Sequence, residues 1–165
     1  MIDRRIRELC LERKMVEPYR ESSLQPCSID VHLGNNIIAE TFFGWKEINL
    51  EEFDEFTPFM MAPGMFLLAE TEEYIHLPDN VEAHLHLVSS RAREGLDHHL
   101  AGLVDAGWQG RLTLELKNSL RFNQVGIYPG MRTAQLSFWE YPESAEFPYA
   151  GRYWGDQGVS RAKPK

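Results

Sequence analysis

The sequence predicts an all-β domain, a barrel or a sandwich, with one short helix in front of it. Apolar and polar residues alternate in VEAHLHL (81–87) and RLTLELK (111–117), and a period of two is that of half-buried strands. Turn signals recur roughly every 8–12 residues from residue 59 onward, which is typical of barrels and sandwiches. Because 165 residues with 43% hydrophobic content can bury a core, we expect residues 1–165 to form a single domain.

Charge and composition narrow the classes of function. The chain has 25 acidic and 17 basic residues and a net charge of −8, so we expect it to bind neither nucleic acid nor an anionic membrane surface. No apolar run approaches the roughly 20 residues of a membrane span, and MIDRRIRELC is not a signal peptide. Cys10 and Cys27 lack CxxC spacing and are interpreted as reduced thiols. These features predict a cytoplasmic protein.

The first part of the chain passes from helix to strand. Residues 3–14 are predicted to form an amphipathic helix with Asp3 as its N-cap. A strand follows in the alternating stretch IDVHL (29–33), and Gly34-Asn35-Asn36 is predicted to be a turn. Residues 42–60 mix aromatic and acidic residues, which indicates a surface loop with a short strand.

Short strands separated by turns account for most of the remaining chain. They are predicted within residues 61–78, 81–90, 104–118 and 126–141. The tail, residues 150–165, is rich in Gly, Arg and Lys and lacks apolar periodicity. We therefore interpret it as a mobile arm, or as a segment that a ligand or a neighbouring subunit orders over a site.

Glu115 poses the main functional question of the sequence. It lies on the polar face of its strand with Arg111, Thr113 and Lys117, while the leucines between them face the other way. A carboxylate in such a pattern is usually solvated. The local pattern alone therefore favours a surface residue over a catalytic one.

The six histidines raise the question of zinc. His84 and His86 share one face of a strand, and His98 and His99 are adjacent. The zinc deaminase signature, H-x-E followed by P-C-x-x-C, does not occur, and neither do HExxH or paired CxxC motifs. We expect no zinc site and interpret these histidines as strand and loop residues.

Two further stretches are open to a functional and a structural interpretation. In SSRAREG (89–95), hydroxyl and guanidinium groups are suited to phosphate oxygens, but a helix start capped by Ser89 or Ser90 with solvated arginines fits equally well. In HHLAGLVDAGWQG (98–110), glycines permit a tight hairpin whose backbone would read a flat heterocycle. An ordinary hairpin is the simpler interpretation of the second stretch.

Taken together and in order, five segments resemble the dCTP deaminase branch of the dUTPase superfamily. They are LQPCSIDVHLG, SSRAREG, AGLVDAGWQGRLTLELKN, PGMRTAQLSF and YAGRYWGDQGVSR. The resemblance implies a distorted jelly-roll-like β barrel, assembled as a homotrimer with active sites between subunits. Glu115 distinguishes the two branches, because dUTPases typically have an apolar residue at that position and deaminases have glutamate.

The resemblance implies a metal-free hydrolytic deamination of a deoxycytidine nucleotide. Glu115 would shuttle protons, Ser89 would hold the attacking water, and Arg93 would orient Glu115. One carboxylate can accept the proton of water, pass it to N3 and aid departure of the amine, and partial burial would suit its pKa to these roles.

The resemblance also implies residues for the rest of the nucleotide. The backbone at Ala101 would hold the 4-amino group, Asp105 would accept a hydrogen bond from the 3′-hydroxyl, and Trp108 would pack against the sugar. The implied triphosphate ligands are Ser90, Gln135, Arg152, Tyr153 and Gln157. Mg²⁺ would bind through the substrate phosphates rather than in a protein cage.

Several positions depart from the family pattern. Val88 replaces an arginine before the serine pair, His32 replaces the arginine of the DxRLG segment, and Asp156 stands where the tail usually has glutamine. Arg91, unusual within SSxAR, is a candidate for compensation. These changes leave a mono- or diphosphate, or a modified cytosine, open as substrate.

The leading expectation is conversion of dCTP to dUTP and ammonia, which would supply dUTP or dUMP for thymidylate synthesis. Ala106, in VDAG, allows an alternative, because some family members with IDAG rather than IDPG take dCTP through to dUMP and pyrophosphate. A dUTP pyrophosphohydrolase is a related alternative. The last alternative is a regulator that binds a nucleotide without converting it.

Overall fold

Twelve strands and two α-helices make up the fold of the residues that the structure describes. The computed structural model describes residues 1–99 and 101–164. The elements are α1 (Asp3–Arg13), β1 (Val16–Glu17), β2 (Leu24–Gln25), β3 (Ser28–Thr41), β4 (Gly44–Asn49), β5 (Phe59–Met61), β6 (Phe66–His76), β7 (Val81–Leu87), α2 (Ser89–Arg93), β8 (Leu96–His98), β9 (Leu103–Val104), β10 (Gln109–Asn118), β11 (Val125–Ile127) and β12 (Arg132–Glu140), with a 3-10 turn over Glu21–Ser23.

Ten of these strands form one antiparallel sheet, so the predicted all-β class is confirmed. The strand order is β8-β10-β6-β3-β12-β7-β9, with β1 added to β6, and β2 and β4 added to β3. The long strand β3 joins two halves of the sheet, because its first part pairs with β12 and its second part with β6 and β4. Strands β5 and β11 form a separate pair.

The core is assembled from the apolar faces of these strands. Leu114 and Leu116 of β10 and Leu136 and Phe138 of β12 are buried at every second position, as the alternation predicts. Helix α1 covers the core through its apolar stripe, which includes Ile6. Each such side chain contributes about 1.5–3 kcal/mol when fully buried. The described part of the chain contains no helix long and apolar enough to cross a membrane.

Three local expectations are wrong. Asp3 is the first helical residue rather than the N-cap; Ile2 holds the cap position, and the Asp3 carboxylate accepts the N–H of Arg4. Helix α2 begins at Ser89, as predicted, but neither serine caps it. The N-cap residue is Val88, and no side chain makes a capping hydrogen bond at this end of the helix.

The third correction concerns Gly34-Asn35-Asn36, which is not a turn. These residues continue β3 as a bulge, since Leu33 pairs with Thr71 while Ile37 already pairs with Ala69. A Cβ at Gly34 would lie 2.5 Å from Cγ of Glu70. Any larger residue at this position would therefore force the Glu70 side chain to shift.

Candidate active site

A cavity of about 920 Å³ gathers five of the predicted site residues: Glu115, Ala101, Asp105, Trp108 and Tyr153. Glu115 comes from β10, and Tyr153 comes from the tail. Ala101, Asp105 and Trp108 come from the connection between β8 and β10 that contains the short strand β9. The structure thus brings together the residues that the resemblance implies for the base and the sugar. The C-terminal tail also lines this cavity.

Glu115 lies near the centre of β10, opposite Leu68 of β6. Trp45, Phe66 and Leu85 line the same cavity and make this part of its wall apolar. Burial raises the pKa of the Glu115 carboxyl above its ordinary value, an effect partly offset by its own backbone N–H and by His98 and His99. A carboxyl in this setting is suited to both accepting and donating a proton.

The residues around Glu115 are held by the backbone of the connecting segment. Trp108 is buried, and its backbone N–H donates to the carbonyl of Asp105 at 3.1 Å. The Asp105 side chain is exposed and borders a second cavity of about 630 Å³ as well as the first. The N–H of Ala101 donates to the carbonyl of His99 at 2.8 Å. The carbonyl of Ala101 is the backbone group suited to an amino ligand, because a carbonyl accepts the hydrogen bond that an amino group donates.

The tail lies against this cavity through bonds to its own chain. Asp156 pairs with Gly110 of β10 in a single bridge, and its carbonyl accepts the N–H of Arg111 at 2.8 Å. Further along, the N–H of Ser160 donates to Thr113 Oγ1 at 3.3 Å. The tail is therefore docked beside the face of β10 that carries Glu115.

Only one of the three predicted phosphate ligands in the tail faces the cavity. Tyr153 lines the cavity, whereas Arg152 and Gln157 do not. Arg152 donates through Nη1 to the carbonyl of Lys163 at 2.8 Å, and Gln157 donates to the carbonyl of Gly155 at 3.0 Å.

Sequence reasoning missed the tail residues Ser160, Arg161 and Lys163, all of which line the cavity. The signal that could have identified them is the presence of hydroxyl and cationic groups within a Gly-rich tail.

The remaining predicted residues form a second group outside the cavity. Ser89, Ser90 and Arg93 lie on α2, where Ser89 and Arg93 are exposed. Gln135 lies on β12, and its side-chain oxygen accepts the hydroxyl of Ser28 at 2.9 Å. Within one chain, these four residues are not brought to Glu115, so their roles in the site stay predictions.

The positions that depart from the family pattern have structural partners. His32 Nδ1 lies 2.6 Å from Glu73, a nearly buried carboxylate that also pairs with Arg20 at 3.1 Å. Arg91 pairs with Glu94 at 2.6 Å. The side chain of Val88 is buried and its N–H donates to the carbonyl of Thr133 at 3.1 Å.

Within residues 1–99 and 101–164, one group of side chains has the spacing of metal ligands. It consists of His32, Glu72 and Glu73, and Arg20 pairs with both carboxylates. These residues do not line the cavity that contains Glu115. Glu115 and Asp105 do not belong to that group, so among the described residues the cavity offers no set of three ligands for Mg²⁺, and binding of Mg²⁺ through substrate phosphates stays a prediction.

Comparison with known proteins agrees with this arrangement. The sequence profile of the family described as DCD, dCTP deaminase-like, matches residues 1–141. A protein from Aquifex aeolicus (strain VF5), named dCTP deaminase, dUMP-forming, is 41% identical over 165 residues, which cover 95% of this chain and 90% of that protein.

Two solved structures share the fold. The 2′-deoxycytidine 5′-triphosphate deaminase of Agrobacterium tumefaciens superposes with a TM-score of 0.68 at 21% identity, over 84% of this chain and 46% of that chain. This chain therefore spans less than half the length of that protein. The EIAV dUTPase superposes with a TM-score of 0.52 at 16% identity, over 84% of this chain and 93% of that chain. The predicted dUTPase-type fold is confirmed.

Proposed function

Because the chain belongs to the dCTP deaminase-like family, we propose that it hydrolyses the 4-amino group of dCTP and carries the nucleotide on to dUMP. The observation that carries the proposal is the position of Glu115, a carboxyl with a raised pKa in a partly apolar cavity that it shares with Ala101, Asp105 and Trp108. These residues supply a proton shuttle, a backbone acceptor for an amino group and a surface for a sugar.

Deamination needs one group that moves protons in sequence. Water adds to C4 of cytosine while Glu115 takes one of its protons, and Glu115 then protonates N3. Collapse of the tetrahedral carbon expels the amine, which leaves as ammonia after receiving a proton through the same carboxyl. The carbonyl of Ala101 would orient the 4-amino group toward this path. Burial supports the proposal because it raises the pKa of Glu115 toward the range in which one carboxyl serves as base and acid.

The product we propose differs from the leading expectation of the sequence, which was dUTP. The relative from Aquifex aeolicus is named dUMP-forming, and this favours the alternative in which pyrophosphate is released. Asp105 is the residue suited to the second step, because it borders both cavities and carries an exposed carboxylate. It would accept a hydrogen bond from the 3′-hydroxyl of the sugar, and it would orient the water that attacks the α-phosphate. Mg²⁺ bound to the phosphates would neutralise charge on the departing pyrophosphate.

We further propose that the working site lies between copies of the chain in a homotrimer. The separation of the predicted residues into two groups supports this, since Ser89, Ser90 and Arg93 lie on α2 and not in the cavity of Glu115. A neighbouring copy would bring its α2 to that cavity. Ser89 would then hold the water, and Arg93 would contact Glu115.

Product analysis tests the activity. The purified protein is incubated in Mg²⁺ buffer with dCTP, dCMP, CTP, dUTP or a 5-substituted dCTP, and ammonia, pyrophosphate and nucleotides are quantified. We expect dCTP to yield equal amounts of ammonia, dUMP and pyrophosphate. Ammonia with dUTP as the final product would restrict the activity to deamination. Pyrophosphate from dUTP without ammonia from dCTP would indicate a dUTP pyrophosphohydrolase, and binding without any product would indicate a regulator.

A further inference from the structure

The tail contributes an ammonium group to the cavity at Lys163. Nζ of Lys163 pairs with the Asp156 carboxylate and donates to the carbonyl of Arg152 at 3.0 Å. It also lies 5.3 Å from the centre of the Tyr153 ring. An ammonium has three N–H donors, and the described contacts use two of them. Lys163 is thus held in place with donor capacity remaining.

The other cations near the cavity are less suited to an anion. Arg111 donates through Nη1 to the carbonyls of Thr71, at 3.1 Å, and Glu72. Arg152, which the resemblance implies for phosphate, does not line the cavity. Arg161 of the tail also lines the cavity, but it is exposed, and none of the described hydrogen bonds or ion pairs fixes its side chain. Lys163 is therefore the tail cation that is held in position at the cavity.

Asp156 occupies the place of an anion beside Lys163. Its side chain is 12% exposed, and its carboxylate accepts the hydroxyl of Ser160 at 2.9 Å while it pairs with Lys163. A hydroxyl and an ammonium are the donors that a phosphate oxygen also uses. Ser160 and Lys163 therefore resemble an anion-binding site that is occupied by the Asp156 carboxylate of the same chain.

We infer that Lys163 binds a phosphate group of the substrate and that Asp156 competes with that phosphate for the ammonium of Lys163. The inference rests on the proposed function for the identity of the substrate, a nucleoside triphosphate. Like charges repel at close range, so the Asp156 carboxylate opposes an incoming phosphate. Removing that charge strengthens phosphate binding, whereas removing the charge of Lys163 weakens it.

Calorimetry with inorganic tripolyphosphate tests the inference without requiring any reaction. We expect K163M to bind this probe about tenfold more weakly than wild type, the loss of one charge-assisted hydrogen bond. K163R should retain most of the affinity. D156N should bind several-fold more tightly. This gain should be smaller in the K163M background, because D156N then relieves only the repulsion by Asp156 and no longer frees an ammonium group.

A matched control and a kinetic measurement complete the test. Lys14 pairs with Glu17 at 3.1 Å outside the cavity, so K14M removes a lysine from an ion pair without touching the site. Thermal melting of every variant establishes that it is folded. With dCTP, K163M should raise KM about tenfold and D156N should lower it.

The two proposals fail in different ways. A wild-type protein that releases no ammonia from dCTP contradicts the proposed function, while the tripolyphosphate titrations still report on Lys163. Equal affinity of wild type and K163M for tripolyphosphate, including no measurable affinity in either, overturns the inference. A D156N variant that binds more weakly than wild type also overturns it, because Asp156 would then support the site rather than compete for it.

Discussion

The backbone N–H of Val159 donates to Oε2 of Glu70 at 3.0 Å, which ties the tail to β6. The other oxygen of Glu70, Oε1, accepts the backbone N–H of Asn36 at 3.2 Å and its side-chain Nδ2 at 2.9 Å. Glu70 is only 6% exposed, and a Cβ at Gly158 would lie 2.7 Å from Oε2. One buried carboxylate therefore joins the bulge of β3 to the tail that lines the cavity.

The first prediction is that this contact docks the tail. A carboxylate accepts at both oxygens, whereas the amide of E70Q would turn an N–H group toward one of these donors. We expect limited trypsin digestion after Arg152 and Arg161 to be about fivefold faster or more in E70Q and G158A. E70Q leaves a buried N–H donor without its acceptor, and the Cβ of G158A would clash with Oε2 of Glu70. E40Q, which changes an exposed glutamate of β3, is the control. Unchanged cleavage in both variants would mean that the tail is held elsewhere.

The second prediction concerns the catalytic role of Glu115. E115Q keeps the size and polarity of the side chain but removes its ability to accept a proton, so ammonia release should fall by about 10²–10⁴-fold or more. Binding of dCTP, measured by calorimetry, should stay within a few-fold of wild type. E47Q, at an exposed position of β4, should leave both unchanged. Ammonia release at the wild-type rate from E115Q would exclude Glu115 as the shuttle.

The third prediction is a dependence of stability on pH. Burial raises the pKa of Glu115 in the folded protein above its ordinary value of 4.5, so the neutral carboxyl is favoured by folding. Its stabilising contribution is complete below the unfolded pKa and is lost as pH rises through the folded pKa. E115Q, which is neutral at every pH, should therefore have a higher Tm than wild type at pH 8. The difference should shrink as pH is lowered toward 4.5, and a difference that grows on acidification would contradict this reasoning.

The sequence predicted features that depend on local periodicity. Strand β10 and the side of it that carries Glu115 follow from alternation over residues 111–117, and burial of Leu114 and Leu116 agrees with it. Strand β7 was likewise predicted from the alternation of apolar and polar residues, and its burial alternates along most of its length. Placing Glu115 in a cavity required the resemblance, since an alternating strand has the same pattern whether its polar face meets solvent or a site.

Features that depend on distant partners could not be predicted locally. Gly34-Asn35-Asn36 has the composition of a turn, but Glu70 stabilises it as a bulge by accepting both N–H groups of Asn36 from 34 residues away. The tail lacks periodicity because backbone contacts, rather than an apolar face, hold it; Val159 is 89 residues from Glu70. Composition carries no information about such pairings.

The fourth prediction concerns the sugar contact of Asp105. If its carboxylate accepts the 3′-hydroxyl, D105A should weaken dCTP binding by roughly 1–3 kcal/mol. The same change should leave binding of 2′,3′-dideoxy-CTP nearly unaltered, because that analogue has no hydroxyl to lose. Both titrations are made in the E115Q background so that no product forms, and D97A, at an exposed position of β8, is the control. Equal weakening of both ligands would place Asp105 away from the 3′-hydroxyl.

The fifth prediction is that two inactive variants restore activity when they share a trimer. Glu115 lines the cavity, whereas Arg93 lies exposed on α2 outside it, so the proposed site takes each residue from a different copy. E115Q and R93A homotrimers should each be inactive. When the two chains are unfolded and refolded together in equal amounts, about a quarter of the sites should pair an intact Glu115 with an intact Arg93 of the neighbour, and ammonia release should recover to about a quarter of wild type. Separately refolded variants that are mixed afterwards provide the control. If both residues acted within one chain, no mixed trimer would contain an intact site and activity would not return.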